Sequence, residues 1–459
     1  MMYKKNARAA QLKKGQTPPK KPKKFSRLQG VRDTMHKEYK YWDLVRKKAS
    51  DLAKYYSFDR IEIPVLERAT LFDVSTGKDS GIVSKELYSF VDKTGDKVAM
   101  RPEATPGIVR AFIDRGIMEP IKPKRFFWTG PLFRHENSQS KKLRQHNQFN
   151  YDVFGEESPV VDAQLVLIGY NFFSELQVNT QVQINSIGCS ECRKEYIKKL
   201  VTFYKERGKR SKLCNSCKKN FTKNPFLLLD CEEASCVEVR EDAPQVIDFL
   251  CDNCREHFIM VLEYLDDLNI PYNLSPFLVR GLDYYTGTVF EFIPLEAENS
   301  ENEEEVKNKK KPMVLGGGGR YNELIEKMGG VSIPACGFGI GVERVIQKIK
   351  ENNIPINKDE GDIIFVSQIG EEPKKKAILI FEEMRRAGYN VRQHFTESSL
   401  QTQLEESKEL KARYTLILGQ KELLDGTIII RDMESGAQEV IDRKKLYPEI
   451  DKRLSTEEE

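Results

Sequence analysis

The sequence predicts an α+β protein with a cysteine-rich insertion and a separate α/β domain near its C-terminal end. Three observations lead to this prediction. The length of 459 residues is enough for about three domains. Eight of the nine cysteines lie between residues 189 and 254. Over residues 361–455, strand patterns alternate with helix patterns, which is typical of a small α/β domain.

The region before residue 361 mixes helix and strand patterns. Apolar residues recur at helical spacing over 33–58, which predicts a helix with Asp33 or Thr34 as its N-cap. Residues 86–100 alternate as a hairpin that turns at residues 94–95. Four further segments read as strands and one as a helix. The strands are predicted at 61–65, 126–133, 148–154 and 278–293, and the helix at 342–350.

Composition excludes several classes of protein. Apolar residues make up 39% of the chain, charged residues 31%, and the net charge is only +4. A uniformly basic coat for nucleic acid is therefore excluded, although a local basic patch is not. No run approaches 18 uncharged apolar residues, and the N-terminus lacks the apolar region of a secretory signal. We expect a cytoplasmic protein that does not contact membranes.

Two charged segments are predicted to be disordered. Residues 1–24 contain nine Lys or Arg, no acidic residue and few apolar residues. This tail is either a solvated extension or an arm that binds phosphates without sequence specificity. Residues 296–312 contain six Glu followed by four Lys, which indicates a low-complexity surface insertion.

The clustered cysteines have the spacing of metal ligands. Three pairs are separated by two residues each, and this spacing in a tight turn lets two thiolates bind one tetrahedral zinc. Eight thiolates can form two structural sites of four, but the spacing does not assign ligands to sites. Free thiols and disulfides are the alternatives. The ninth cysteine, Cys336, is expected to be a small buried apolar residue. The candidate ligands are Cys189, Cys192, Cys214, Cys217, Cys231, Cys236, Cys251 and Cys254.

Arginine and acidic residues recur beside glycine or aromatic residues in four segments. One such arginine would be explained by a surface ion pair, but four suggest a common purpose. Phosphoryl or nucleotidyl chemistry needs fixed positive charge around a polyphosphate, and arginine supplies it in a rigid fork. The common phosphate-binding loops are missing from the sequence. The four segments are 101–105, 133–136, 280–285 and 341–344.

These segments resemble the class II aminoacyl-tRNA synthetases. Residues 130–136 (GPLFRHE) are similar to motif 2 of that class, and 337–344 (GFGIGVER) to motif 3. Residues 28–33 (LQGVRD) and the stretch 61–72 resemble motif 1 and its approach. Two blocks are more specific, and they resemble the histidyl-tRNA synthetase family. They are residues 101–105 (RPEAT) and 278–291 (LVRGLDYYTGTVFE).

The resemblance implies a catalytic core with an antiparallel sheet, dimerised through motif 1 and interrupted by the Cys-rich helical insertion. It implies that the C-terminal α/β domain binds the anticodon of tRNA. The expected organisation is a tail at 1–24, catalytic core at 25–187 and 263–350, the insertion at 188–262, and the anticodon-binding domain at 361–455.

The resemblance also implies the reaction. L-Histidine and ATP would form histidyl-adenylate, and the histidyl group would pass to the 3′ end of tRNA(His). Arg134 would hold the α-phosphate, Arg344 the γ-phosphate, and Arg280 both the α-phosphate and the carboxylate of histidine. Mg²⁺ would bridge the outer phosphates. Structural Zn²⁺ remains the inference from cysteine spacing.

The remaining site residues are assigned in the same way. Glu136 would meet the adenine amino group, His146 would stack on adenine, and Gly339 and Gly341 would let the nucleotide approach the backbone. Two positions depart from the family: Asp152 stands where Glu is frequent, and His146 where an aromatic residue usually stacks. The implied histidine-binding residues are Glu103, Thr105, Gln148, Asp152, Arg280, Tyr284, Tyr285 and Tyr321.

Three other functions fit parts of the pattern. A catalytically silent paralogue could regulate histidine biosynthesis, a sensor could bind uncharged tRNA, and a class II synthetase could use another amino acid. The silent paralogue lacks the C-terminal domain and degrades the motif arginines, whereas Arg134, Arg280 and Arg344 are present here. Tyr284 could equally be a packing residue of the core.

Overall fold

The computed structural model describes residues 25–78, 80–116, 123–136, 143–295, 313–356, 362–397 and 399–455. The predicted tail at 1–24 and the predicted insertion at 296–312 lie outside these residues. The chain forms two compact units, Met1–Ile354 and Pro355–Glu459. None of the described helices is long and apolar enough to span a membrane.

The first unit is built on a sheet with the strand order β1-β5-β6-β11-β10-β9-β7-β8. Its central strands pair antiparallel, and parallel pairs occur at its edges, between β1 and β5 and between β7 and β8. The strands are β1 Asp59–Arg60, β5 Lys124–Phe133, β6 Gln145–Phe154, β7 Thr180–Ser186, β8 Tyr272–Leu274, β9 Thr286–Pro294, β10 Gly316–Arg320 and β11 Ala335–Gly341.

Helices cover the large sheet because its strands carry apolar side chains such as Phe149, Tyr151 and Phe338. Helix α1 (His36–Tyr55) packs on α4 (Pro159–Glu175) and on α12 (Val342–Glu351). Helix α4 also packs on β7, β9 and β11. Outside the insertion, the helices of this unit are α1 His36–Tyr55, α2 Ala69–Phe72, α3 Thr105–Asp114, α4 Pro159–Glu175, α11 Leu324–Lys327 and α12 Val342–Glu351, with π-helical turns at Asp73–Gly77 and Ile82–Glu86.

Two local predictions near motif 1 are wrong. Helix α1 begins later than predicted, and the capping position is Met35, which makes no side-chain cap hydrogen bond. The predicted strand at 61–65 is an extended connection, because the pairing lies on either side of it, in β1 and in β2 (Leu66–Arg68). The predicted hairpin is confirmed as β3 (Ser89–Val91) and β4 (Lys97–Met100), and β2 joins it in a three-stranded sheet.

The insertion is helical, as predicted, and shares the core of the catalytic unit. Buried Tyr196 and Leu200 of the insertion belong to the same apolar cluster as Trp128, Val279 and Tyr284 of the core. The insertion is therefore packed against the catalytic sheet. Its helices are α5 Ser190–Lys205, α6 Arg207–Lys212, α7 Asn215–Asn220, α8 Phe226–Leu229, α9 Ala234–Glu241 and α10 Asp252–Asp267, with a 3₁₀ turn at Val246–Phe249.

The second unit has the α/β pattern that the sequence predicts. Its five-stranded sheet has the order β13-β12-β14-β15-β16, with parallel pairs on one side and antiparallel pairs on the other. The elements are β12 Ile364–Gln368, α13 Glu371–Arg386, β13 Val391–Gln393, α14 Leu400–Glu409, β14 Tyr414–Leu418, α15 Gln420–Asp425, β15 Thr427–Asp432, β16 Gln438–Asp442 and α16 Leu446–Ser455, with a 3₁₀ turn at Arg443–Lys445.

Candidate active site and cysteine clusters

A fully buried carboxyl group, that of Asp152, lies at the centre of the predicted histidine pocket. One of its oxygens accepts hydrogen bonds from the hydroxyls of Thr105, at 3.2 Å, and Tyr321. The other oxygen has no hydrogen-bond partner among the described residues. Burial raises the pKa of Asp152 to about 7. A buried acceptor without a protein partner is a place for a ligand donor, such as a ring N–H.

A second buried carboxyl group, that of Glu103, lies nearby. It accepts hydrogen bonds from the hydroxyls of Tyr284, at 2.8 Å, and Thr76. Burial raises the pKa of Glu103, while these hydroxyls and the charges of Arg134 and Arg280 act in the opposite direction. Glu103 therefore lies between the histidine end of the site and its arginines. Tyr284, whose role was open from sequence, holds this carboxylate.

Three buried tyrosine rings lie together beside these carboxyl groups, where the sequence predicts the histidine pocket. The ring centroids of Tyr284 and Tyr285 are 4.8 Å apart, and that of Tyr321 lies 5.7 and 6.3 Å from them. Arg320 fixes the Tyr321 segment, since its Nε donates to the buried carboxylate of Asp162 at 2.7 Å. The three rings present flat apolar faces with hydroxyl groups aimed at carboxylates, which suits a small polar ring.

The three predicted phosphate-binding arginines lie close together. Burial, Arg134 and Arg280 together lower the pKa of Arg344. Arg280 forms an ion pair with Glu291 of β9, and Nε of Arg134 donates to the carbonyl of Pro102 at 2.9 Å. The charges of Arg134 and Arg280 act on Arg344, so this end of the site favours a ligand with several negative charges.

The predicted adenine region adjoins these arginines. Burial, with Arg134 and Arg344 in support, lowers the pKa of His146 to about 3, so its imidazole stays neutral. Glu136 is buried and is one of the charges that act on Arg344. A neutral ring in this position can accept a purine by stacking.

The glycines of motif 3 have a reason within the protein itself. A side chain at Gly339 would approach Nε2 of Gln148 to 2.1 Å. That nitrogen donates to Oδ1 of Asn150 at 2.7 Å. At Gly341 an added Cβ would meet its nearest atom, in Arg344, only at 3.9 Å. A side chain at Gly339 would thus displace the end of Gln148, whereas Gly341 leaves open backbone at the arginine end.

Arg101, in the first of the four arginine segments, does not join the phosphate-binding group. Its guanidinium lies over the ring of Trp128, 4.7 Å from the centroid. It donates to the carbonyls of Pro131 and Pro64 at 3.0 Å each, and also to that of Ile63. Its role is to join the motif 1 connection to β5.

The eight clustered cysteines form two groups of four. Within each group the sulfur atoms all lie within 4.8 Å of one another. Four thiolates around one zinc ion at about 2.3 Å require sulfur separations of roughly 3.8 Å, so both groups fit a tetrahedral site. Cluster 1 contains Cys189, Cys192, Cys251 and Cys254, and cluster 2 contains Cys214, Cys217, Cys231 and Cys236.

Backbone N–H groups already point at the sulfurs of both clusters. The N–H of Cys251 donates to Sγ of Cys192 at 3.2 Å, and that of Cys214 to Sγ of Cys236 at 3.2 Å. Such bonds favour the thiolate form, which is the form that binds metal. Burial raises the pKa of Cys217 and Cys254, so a cation is needed to keep these two thiols deprotonated. Cys336 is fully buried, as expected.

A family model described as histidyl-tRNA synthetase matches residues 30–345, and a model described as an anticodon binding domain matches 354–453. The chain belongs to the histidyl-tRNA synthetase family. The predicted class of enzyme, an aminoacyl-tRNA ligase, is confirmed at the level of this family, and the predicted α+β fold with its helical insertion and C-terminal α/β domain is confirmed as well.

Relatives of the histidyl-tRNA synthetase family match along almost the whole chain. A histidine–tRNA ligase of Caldicellulosiruptor bescii is 36% identical over 432 residues, which cover 94% of this chain and 99% of the relative. One of Thermosipho melanesiensis is 37% identical over 422 residues, covering 91% and 96%. The crystal structure of apo S. aureus histidyl-tRNA synthetase is similar with a TM-score of 0.76, at 27% identity over 93% of this chain and 99% of that one.

Sequence reasoning about this family missed several residues that support the site. Thr76 and Glu291 hold Glu103 and Arg280, and Asn150 holds Gln148. Asp162 anchors the Tyr321 segment through Arg320. They are ordinary polar residues in helices and strands, and their partners lie 2 to 158 positions away. No motif spacing indicates such contacts.

Proposed function

We propose that this chain forms histidyl-adenylate from L-histidine and ATP and transfers the histidyl group to tRNA(His). The observation that carries the proposal is the pairing of two environments in one site. The buried Asp152 offers an acceptor oxygen at one end, and Arg134, Arg280 and Arg344 lie together at the other. A ring donor and a polyphosphate would complete both ends.

At the phosphate end, each arginine has a separate task. Arg134 holds the α-phosphate and Arg344 the γ-phosphate of a bent ATP. Arg280 lies across the α-phosphate and the carboxylate of histidine, with its position set by Glu291. Bound Mg²⁺ would offset charge on the outer phosphates. Because the attacking carboxylate is already an anion, positioning and charge stabilisation are sufficient, and no general base is required.

At the amino-acid end, Asp152 and Tyr285 receive the imidazole, and Tyr321 fixes Asp152 through its hydroxyl. Glu103, held by Tyr284, binds the α-amino group together with Thr105 and Gln148. An amino acid that lacks ring donors leaves Asp152 buried without a partner, and this costs about 1–3 kcal/mol or more. When several buried polar groups of such a site are left unpaired together, the discrimination reaches about 10⁴–10⁵, and this makes a separate editing site unnecessary.

In the adenine region, Glu136 binds the exocyclic amino group and His146 stacks on the ring. The neutral state of His146 supports this role. Placing a charged imidazolium between the purine and two arginines would cost desolvation free energy. Gly341 lets the nucleotide approach the backbone directly. Gly339 contributes indirectly, because its missing side chain leaves room for Gln148.

We assign one structural Zn²⁺ to each cysteine cluster. Four sulfur ligands fill the tetrahedral shell, so neither site leaves a position for substrate. Metal analysis of the purified protein should give two zinc ions per chain. The Cys214→Ser variant should retain one zinc ion and loosen the insertion while sparing adenylate formation; a retained content of two would contradict the assignment of cluster 2.

Transfer of histidine requires tRNA and, in this proposal, a homodimer in the cytoplasm. The domain from 354 to 453 contacts the anticodon, whose single-stranded bases are read by stacking and by edge hydrogen bonds. The dimer is supported by exposed apolar side chains on the three-stranded sheet next to motif 1: Leu66 is 49%, Phe90 48% and Val91 66% exposed. Light scattering should give twice the 53.0 kDa chain mass.

The deciding experiment is ATP–pyrophosphate exchange with each of the twenty amino acids and no tRNA. Exchange with histidine alone is the expected result, followed by charging of tRNA(His). Exchange with a different amino acid would overturn the assignment of the Asp152 pocket but leave the phosphate end intact. No exchange with any amino acid would favour a catalytically silent paralogue.

A further inference from the structure

The residues that immediately precede cluster 1 are hydrogen-bonded to the strand that follows Tyr285. The N–H of Gly287 donates to the carbonyl of Gly188 at 2.9 Å, and that of Ile187 donates to Gly287 at 2.8 Å. Gly188 immediately precedes Cys189 and has a φ of +66°. A side chain there would approach Cβ of Cys192 to 2.6 Å, so glycine is needed for this close approach. The first cysteine pair is therefore fixed against the histidine segment.

One side chain extends this connection into the pocket itself. Arg193 follows Cys192, and its backbone N–H donates to the carbonyl of Cys189 at 3.0 Å. One terminal nitrogen of its guanidinium donates to the backbone carbonyl of Tyr285 at 3.1 Å. The other lies 3.6 Å from the carboxylate of Glu323, two residues after Tyr321. Arg193 thus joins cluster 1 to both segments that carry pocket tyrosines.

The bridge matters because part of the boundary between the insertion and this segment is open, although Tyr196 and Val279 share one apolar cluster. A cavity of about 310 Å³ lies between α5 and residues 279–285, lined by side chains that include Ile197, Phe226 and Leu282. A loop that borders open space can shift unless a polar contact fixes it. The side chain of Arg193 is only 18% exposed, so its hydrogen bond to Tyr285 is partly shielded from water.

Cluster 2 reaches the same segment at a different point. Asn224 lies between Cys217 and Cys231, and its side chain donates to the carboxylate of Asp283 at 3.3 Å. This bond is longer and exposed. It ends on a side chain rather than on the backbone of a pocket tyrosine. Its effect on the pocket should therefore be smaller than that of Arg193.

We infer that Arg193 is a positioning residue for histidine binding, and that metal bound at cluster 1 sets the affinity for histidine through it. The inference rests on the proposed function, because it takes the tyrosine-walled pocket as the histidine site. Arg193 does not touch the substrate. It holds the Tyr285 carbonyl and the Glu323 segment so that the tyrosine wall keeps its place beside Asp152.

The test compares three variants in equilibrium histidine binding, measured by calorimetry, and in exchange kinetics. Arg193→Ala should raise the Kd for histidine roughly tenfold, as expected for loss of one hydrogen bond from a charged donor. The KM for ATP and kcat at saturating histidine should change by less than about twofold. Arg193→Lys, which keeps the charge and one donor, should recover part of the affinity.

Lys212→Ala is the matched control. It removes one positive charge from the same insertion, where Lys212 pairs with Glu238 of α9. Its histidine Kd should equal that of the wild type. The inference is wrong if Arg193→Ala leaves the histidine Kd unchanged. It is also wrong if the KM for ATP rises by the same factor as the histidine Kd. If Arg193→Ala fails to fold, Arg193→Lys serves as the test. An unchanged histidine Kd in Arg193→Lys would contradict the role of the two-nitrogen guanidinium as a bridge.

A double-mutant cycle tests the dependence on metal. Cys254→Ser should lose one of two zinc ions and raise the histidine Kd, and adding Arg193→Ala to it should have little further effect. Full additivity would mean that the two act independently and would overturn the metal link. A wild-type protein that fails to bind histidine would instead overturn the proposed function, so the two failures are distinguishable.

Discussion

The two ends of the candidate site solve opposite electrostatic problems. At the histidine end, two buried carboxyl groups, Asp152 and Glu103, are surrounded by hydroxyls, and burial raises the pKa of both. At the phosphate end, three arginines lie together, and burial and mutual repulsion lower the pKa of Arg344. Each end brings together ionisable side chains of the same sign. Burying such groups side by side is unfavourable for stability alone.

The difference shows how the protein prepares each end for its ligand. Hydroxyl donors from Thr105, Tyr284 and Tyr321 fix the carboxylates in place, so the histidine end is organised before the substrate arrives. Backbone and ion-pair contacts hold the arginines, and in the proposed function the polyphosphate supplies their negative counter-charge. Substitutions should therefore separate the two ends kinetically.

The largest effect is expected at the phosphate end. Arg344→Ala should lower kcat/KM for ATP by about 10²–10³, the usual cost of removing one charge-stabilising donor, with little change in the Kd for histidine. Pyrophosphate exchange over a range of ATP concentrations measures it. Arg386→Ala, an exposed arginine paired with Glu382 in the second unit, is the control and should retain normal exchange. An equal loss in histidine affinity would mean that the two ends are not separable.

A smaller effect with the opposite selectivity is expected at the histidine end. Asp152→Asn keeps the size of the side chain but removes the charged acceptor, so KM for histidine should rise about 10- to 100-fold. KM for ATP should stay within about twofold. A rise in the ATP constant alone would place Asp152 outside the amino-acid pocket.

The same variant should be more stable than the wild type at alkaline pH. The pKa of Asp152 is raised to about 7 by burial, so between the unfolded value near 3.8 and 7 the folded state binds more protons than the unfolded state. The free energy of unfolding of the wild type therefore falls as pH rises through this window. Asp152→Asn removes that loss, so its free energy of unfolding should exceed that of the wild type by about 4 kcal/mol at pH 8 but by little at pH 4. Urea unfolding at both pH values measures the difference, and an equal gain at both would contradict it.

The smallest effect is expected from a ring exchange in the adenine region. His146 is neutral because its pKa is lowered to about 3, so its contribution is that of a flat ring. His146→Phe should change KM for ATP by less than about threefold, whereas His146→Ala should raise it roughly tenfold through lost stacking. If phenylalanine were as damaging as alanine, a hydrogen bond of the imidazole rather than stacking would explain the residue.

Much of this organisation can be predicted from sequence because it depends on local pattern. The helical spacing after residue 33 and the hairpin at 86–100 are set by neighbours in the chain, and both form. The predicted alternation of strands and helices over 361–455 also forms, with strand β14 at Tyr414–Leu418 as one example. The N-cap of α1 and the strand at 61–65 were wrong because capping geometry and strand pairing depend on partners that the local pattern does not contain.

The sequence by itself determined the family, the motif arginines and tyrosines, and the number of clustered cysteines, because each depends on residue identity at fixed spacing. Only the tertiary structure decided which four cysteines share a cluster, that Gly339 lies against the side chain of Gln148, and that Arg193 reaches the carbonyl of Tyr285, 92 positions away. These contacts join segments that are far apart in the chain. Their distances arise from packing the insertion against the sheet, which no local pattern of residues encodes.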